Sequence, residues 1–141
     1  MFDVVLFEPE IAPNTGNIIR LCANTGMRLH LIRPLGFELS DSKLRRAGLD
    51  YHEWALVSVH DNFNAYLTTV KPPRIWALST RGKNFYTTAA INQGDAFLFG
   101  PETRGLPETI LNNIDSNQRL CIPMITGNRS LNLSNAVAIM V

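Results

Sequence analysis

Cysteine is scarce in this sequence. There are two, Cys22 and Cys121, far apart and in no C-x-x-C pair. That excludes a disulfide-stapled scaffold and a thiolate zinc site, and both residues read as reduced, buried cysteines. The three histidines, His30, His52 and His60, show neither H-x-x-x-H nor H-x-H spacing, so no metal site is expected. Charge of one sign is also missing: 13 Lys+Arg against 12 Asp+Glu leave a net charge of +1. Only a local basic patch, not overall charge, would then favour nucleic acid. No uninterrupted apolar run approaches the ~20 residues of a membrane span. The start, Met1-Phe2-Asp3-Val4-Val5-Leu6-Phe7-Glu8, lacks the basic region of a signal peptide. The expectation is a cytoplasmic protein with no membrane partner. There is no G-x-G-x-x-G after the first strand, no G-x-x-x-x-G-K-[ST] and no G-x-S-x-G, which disfavours the common dinucleotide, P-loop and hydrolase folds.

What is present is material for one domain over residues 1–141, with 45% hydrophobic and 18% charged residues. Short runs rich in β-branched and aromatic residues predict strands at 4–7, 29–32, 54–59, 75–79, 96–99 and 119–122. Most are apolar throughout, as strands covered on both faces are. Helical patterns fall between them. Asn14-Thr15-Gly16 offers cap residues for a helix with an Ile18/Ile19/Leu21/Cys22 stripe, closed by Gly26. Ser40 or Asp41 caps a short basic helix through Arg46, and Asp61 a helix ending before Pro72-Pro73. Pro107 suits the first position of a helix over 106–114, and a last helix starts near Asn132 and is still running at Val141. Alternation of this kind predicts an α/β domain: a mainly parallel six-stranded sheet with helices on both faces.

In such sheets ligands bind beyond the carboxyl ends of the strands. That directs attention to the loops after Phe7, Ser79, Phe99 and Ile122, which are polar and rich in Gly and Pro. The first leads into a helix carrying Arg20. The second, Ser79-Thr80-Arg81-Gly82-Lys83, suits an anionic partner. The third, Gly100-Pro101-Glu102-Thr103-Arg104-Gly105-Leu106-Pro107, is a stiff loop holding opposite charges, with Gly100 permitting close approach of a ligand. The fourth runs from Pro123 to Asn135 and crowds more hydrogen-bonding side chains around a helix start than one cap needs. Residue chemistry alone reaches a site for a nucleotide-like or anionic ligand near Arg20, Glu102 and residues 130–135.

Three of these segments resemble the motifs of the SPOUT superfamily of RNA methyltransferases. They are Asn14-Thr15-Gly16-Asn17-Ile18-Ile19-Arg20, Phe99-Gly100-Pro101-Glu102-Thr103-Arg104-Gly105, and Ile122-Pro123-Met124 with Ser130-Leu131-Asn132-Leu133-Ser134-Asn135. Arg45-Arg46-Ala47-Gly48-Leu49-Asp50-Tyr51-His52 is similar to the small branch without an RNA-binding extension, the tRNA (cytidine/uridine) 2′-O-methyltransferases of the wobble nucleotide. The resemblance implies a C-terminal deep trefoil knot, which pattern rules would not propose. It implies a homodimer with the active site at the subunit interface, and S-adenosyl-L-methionine as cofactor. Carried over residue by residue, the cofactor would be bound by Leu78, Thr80, Gly100, Ile122, Met124, Ser130 and Leu131. Asn14, Arg20, Glu102, Ser130 and Asn132 match the polar positions associated with catalysis.

Methyl transfer from a sulfonium to a ribose 2′-oxygen is an in-line displacement that depends on alignment and needs no metal. An arginine with a pKa above ~12 is a poor general base, so Arg20 is expected to orient a phosphate or the hydroxyl and to stabilise developing negative charge. Lys43, Arg45, Arg46, Arg81, Lys83, Arg104 and Arg129 are the candidate contacts to a tRNA anticodon stem-loop. The alternatives are an RNA-binding module of the same fold with little turnover, or methylation of another tRNA or rRNA nucleotide. The final run, Ala136-Val137-Ala138-Ile139-Met140-Val141, has no stop signal, whereas the family's last helix continues further; a shortened C-terminal helix is the expectation.

Overall fold

The computed structural model describes residues 1–125 and 131–141. The strands are β1 (Asp3–Phe7), β2 (Arg28–Ile32), β3 (Val57–His60), β4 (Ile75–Leu78), β5 (Asn84–Phe85), β6 (Ala96–Phe99) and β7 (Arg119–Cys121). The helices are α1 (Ala12–Thr25), α2 (Asp41–Arg46), α3 (Tyr51–Trp54), α4 (Phe63–Val70), α5 (Glu108–Leu111) and α6 (Leu133–Met140). All strands pair in parallel, in the order β3-β2-β1-β6-β4-β7-β5.

Among the described residues the sheet therefore has seven strands rather than the predicted six. The additional one, β5, is two residues long and carries Asn84, so neither length nor hydropathy marks it. The third strand begins at Val57 and not at residue 54, because Asp50 and Glu53 form a capping box that winds 51–54 into α3. Asn62, not Asp61, caps α4. Helix α1 starts at Ala12, ahead of the Asn14-Thr15-Gly16 segment, behind an Ile11 that supplies no side-chain cap. Cys22 is buried as expected, and burial pushes its thiol up to about 12. Cys121 is only partly buried.

The apolar strands are covered on both faces. Val4, Leu6, Trp76, Leu78, Phe97 and Phe99 pack under α1, α2, α3 and α6 through Ile18, Leu44, Trp54 and Val137. Their neighbours Val5, Phe7, Ala77, Ala96 and Leu98 point the other way, to Tyr66 of α4 and Leu111 of α5. Period-two alternation thus sorts side chains between two cores, and burial of each large side chain contributes about 1.5–3 kcal/mol.

A polar cluster lies under α4. His30 sits between the carboxylate of Asp3, with Nε2 at 3.3 Å, and Nε2 of His60, 3.0 Å from its Nδ1. Burial pushes the Asp3 carboxyl up, but the His30 and Arg28 contacts outweigh it and hold the group below its ordinary value. Burial, with His30 adding, holds His60 below the ordinary imidazole value. A histidine with a lowered folded pKa stabilises fully above its unfolded pKa of ~6.5, and that contribution drains away as pH falls from there towards the folded value. The lowered Asp3 acts in the same direction at lower pH. The melting temperature should hold steady between about pH 7 and 8 and decline from about pH 6.5 to 5. His60→Gln, which keeps a donor for His30, should flatten that decline in thermal scans across pH; an unchanged slope would remove His60 from the account.

Candidate active site

The four loops singled out above converge. A cavity of about 790 Å³ opens at the carboxyl ends of β4, β6 and β7, beside the start of α1. Its position, where the sheet order reverses on either side of β1 and β6, is the usual place for a ligand in an open parallel sheet. Its volume is within the ~300–1,000 Å³ of small-molecule sites. Leu78, Thr80, Gly100, Ile122, Met124 and Leu131 all line it. Ser130 and Arg129 lie outside the described residues.

Gly100 is demanded by the protein itself. A Cβ at this position would overlap the backbone of Gly105 and Leu106, so the loop folds back tightly against its own strand end. Gly82 is hemmed in similarly by the Leu120 carbonyl. Met124, Ile125, Leu131 and Phe85 leave large apolar surface exposed beside this cavity.

Among the polar candidates, Asn14, Glu102 and Asn132 are brought together. The Glu102 carboxylate accepts from the backbone N–H groups of Glu10 and Ile11, both at 2.7 Å, and from Asn14 Nδ2 at 3.3 Å. It holds the two residues that lead into α1, from a loop some ninety positions away, and puts a carboxylate near the positive end of the helix. Asn14 Oδ1 accepts from Asn132 Nδ2 at 3.0 Å, while Asn132 Oδ1 caps α6 through Ser134 and Asn135. One chain of hydrogen bonds therefore joins the β6 loop, α1 and α6 around the cavity.

The Glu102/Arg104 pair does not close locally. Both residues reach across to the loop after β1. Arg104 pairs with Glu8 at 3.3 Å and Glu10 at 3.5 Å, and Glu10 accepts from the Thr103 backbone N–H and hydroxyl. The Thr103 N–H and hydroxyl, with Arg104 adding, hold the Glu10 carboxyl below its ordinary value. Glu10 and Thr103 thus fix the site frame. They sit in the segments already singled out, but nothing local in either segment announces the contact.

Arg20 is not part of this cluster and does not line the cavity. It lies further along α1, half-exposed, with Nε donating to Glu53 Oε2 at 3.0 Å and Nη2 to the Gly48 carbonyl. The hydrogen bond to Glu53 comes first among the causes that raise its pKa above the ordinary arginine value, so it stays protonated. Of the basic residues, Arg81 is tied to Glu108, and Lys43 lies 3.5 Å from Glu38. Arg45, Arg46 and Lys83 are exposed and have no carboxylate partner among the described residues. The described residues contain no cluster of three metal-ligating side chains and no helix long and apolar enough to cross a membrane.

A parallel α/β sheet with this cavity at its switch point defines a class, and the whole chain matches it: residues 1–141 belong to the SpoU rRNA methylase family. Within it the chain is 60% identical, over 141 residues, to a tRNA (cytidine(34)-2′-O)-methyltransferase of Saccharophagus degradans, covering 100% of this chain and 92% of that protein. The protein of that name from Escherichia coli K12 is 53% identical over 141 residues, covering 100% and 90%. A solved structure concerned with 2-OH methylation of C/U34 on tRNA superposes with a TM-score of 0.89 at 46% identity, covering 99% of this chain and 91% of that one.

Proposed function

We propose that this protein transfers the methyl group of S-adenosyl-L-methionine to the ribose 2′-oxygen of the tRNA wobble nucleotide, a cytidine or a modified uridine. The observation that carries the proposal is the convergence of four loops on one cavity lined by Leu78, Thr80, Gly100, Ile122, Met124 and Leu131. Its likeness over the full length to proteins of that named activity supports the substrate.

The cavity fits the cofactor in size and in its mixture of apolar side chains and exposed loop backbone. When bound there, the cofactor supplies an electrophilic methyl group. Leu78, Ile122 and Leu131 give apolar walls, and Thr80 adds a hydroxyl. Asn14, Glu102 and Asn132 act as positioning residues that hold the walls in register. Arg20, protonated and with unused donors, holds a phosphate or the 2′-oxygen and stabilises the charge that develops as the hydroxyl gives up its proton to water. Arg45, Arg46 and Lys83 contribute contacts to the tRNA backbone.

Within one chain Arg20 stands apart from the cavity. That separation supports a homodimer in which one copy provides the cavity and the other provides Arg20. The crowding at Gly82 and Gly100 supports the tight threading of a trefoil knot through the C-terminal half. We place the enzyme with its tRNA, in the cytoplasm. Incubation of total tRNA with methyl-labelled S-adenosyl-L-methionine tests the activity. Label should enter the tRNA and, after alkaline hydrolysis, be recovered in a dinucleotide, because a 2′-O-methyl group blocks cleavage of the adjoining phosphodiester; unlabelled tRNA, or label only in mononucleotides, would overturn the proposal.

A further inference from the structure

Arg20 is held by a device outside all three motif segments. Its Nε donates to Glu53 Oε2 at 3.0 Å, and Nη2 lies 3.5 Å from Glu53 Oε1. Nη2 also donates to the Gly48 carbonyl. Both partners are themselves fixed. Glu53 Oε1 accepts the Asp50 backbone N–H at 2.8 Å, as the third residue of the α3 capping box. Gly48 has φ of 84°, a left-handed conformation that disfavours a side chain and shapes the turn presenting its carbonyl. The Glu53 side chain is well covered, at 15% exposure, while that of Arg20 is at 51%.

The donors can be counted. Of the five N–H groups of a guanidinium, Nε uses one and Nη2 uses its two on Glu53 and Gly48. The two on Nη1 have no partner among the described residues. A planar fork pinned along one edge offers its other edge in a single orientation, at a smaller entropic cost than a free side chain. Nothing else in α3 calls for such a pairing. The capping box alone needs Glu53 Oε1, and Oε2 is committed to Arg20.

We propose that Glu53 is a positioning residue for methyl transfer: with the Gly48 carbonyl it aims the free Nη1 edge of Arg20 at the substrate. The inference rests on the reading of Arg20 given under the proposed function. It goes beyond that reading in assigning a role to a residue in the 48–53 turn.

The test uses the full chain with S-adenosyl-L-methionine and tRNA, and compares Glu53→Ala, Glu53→Gln, Arg20→Ala, Arg20→Lys and the Arg20→Lys/Glu53→Ala double variant. Glu53→Ala should lower kcat about 10- to 100-fold, the cost of a misplaced group, with KM for tRNA nearly unchanged. Glu53→Gln, which keeps one acceptor oxygen, should recover part of the loss and also covers the case in which the alanine variant fails to fold. In the Arg20→Lys background Glu53→Ala should cost little more, because its effect passes through the arginine. A wild-type kcat in both Glu53 variants, or the same fold-loss in the two backgrounds, overturns the inference. Wild-type turnover by Arg20→Ala would instead overturn the reading of Arg20 itself, so the two failures are distinguishable.

Discussion

Arg20→Ala is expected to abolish measurable methylation while leaving cofactor affinity nearly intact. Arg20 is half-exposed and lies outside the cavity that would hold the cofactor. Its loss removes no cavity wall and opens no void in either core. What disappears is a positioned cationic donor, and the loss of one such donor at a developing oxyanion costs about 10²–10³-fold in kcat. Arginine stays protonated at any accessible pH, and the hydrogen bond to Glu53 raises its pKa further, so Arg20 does not serve as a base. Calorimetric titration with S-adenosyl-homocysteine separates the possibilities. Unchanged affinity with lost turnover is expected, and a large loss of affinity would move Arg20 into the cofactor site.

Glu102→Ala is expected to behave differently, impairing stability and cofactor binding together. Its carboxylate accepts the backbone N–H groups of Glu10 and Ile11, just ahead of α1, and the Asn14 amide. Hydrogen bonds to a charged group are worth about 1.5–3 kcal/mol each when buried. Because Glu102 is only partly covered, a total of about 2–3 kcal/mol is the reasonable expectation. Loss of the clamp also frees the 100–106 loop, which carries the Gly100 wall of the cavity. Thermal unfolding should shift down, and S-adenosyl-homocysteine should bind more weakly. Glu102→Gln should not rescue fully, since its amide would set a donor against a backbone donor. A variant with wild-type stability and binding but no turnover would instead make Glu102 catalytic.

These two residues also show what sequence reasoning reaches. Val4 to Phe7 and Ala96 to Phe99 are legible because central parallel strands are apolar on both faces, and no other pattern explains them. The four site loops follow from the strands by the carboxyl-end rule. The contacts inside the site are not legible. Glu102 meets Ile11 across some ninety positions, and Glu10 meets Thr103 likewise, so no local spacing signals either pair. The fold supplies that proximity by placing β1 beside β6. Glu53 is an intermediate case. Asp50 followed by Glu53 is a capping-box signature, visible in the sequence, yet a strand reading of 54–59 obscured it. The two-residue β5 carries no periodicity at all, and only its pairing with β7 defines it.

The most direct test of the central claim is nucleoside mapping of tRNA methylated by the purified protein. The account expects a single new 2′-O-methyl group, on the ribose of the wobble nucleotide of the anticodon, absent from the Arg20→Ala reaction. Methyl groups on a base, or at ribose positions outside the anticodon loop, would contradict it.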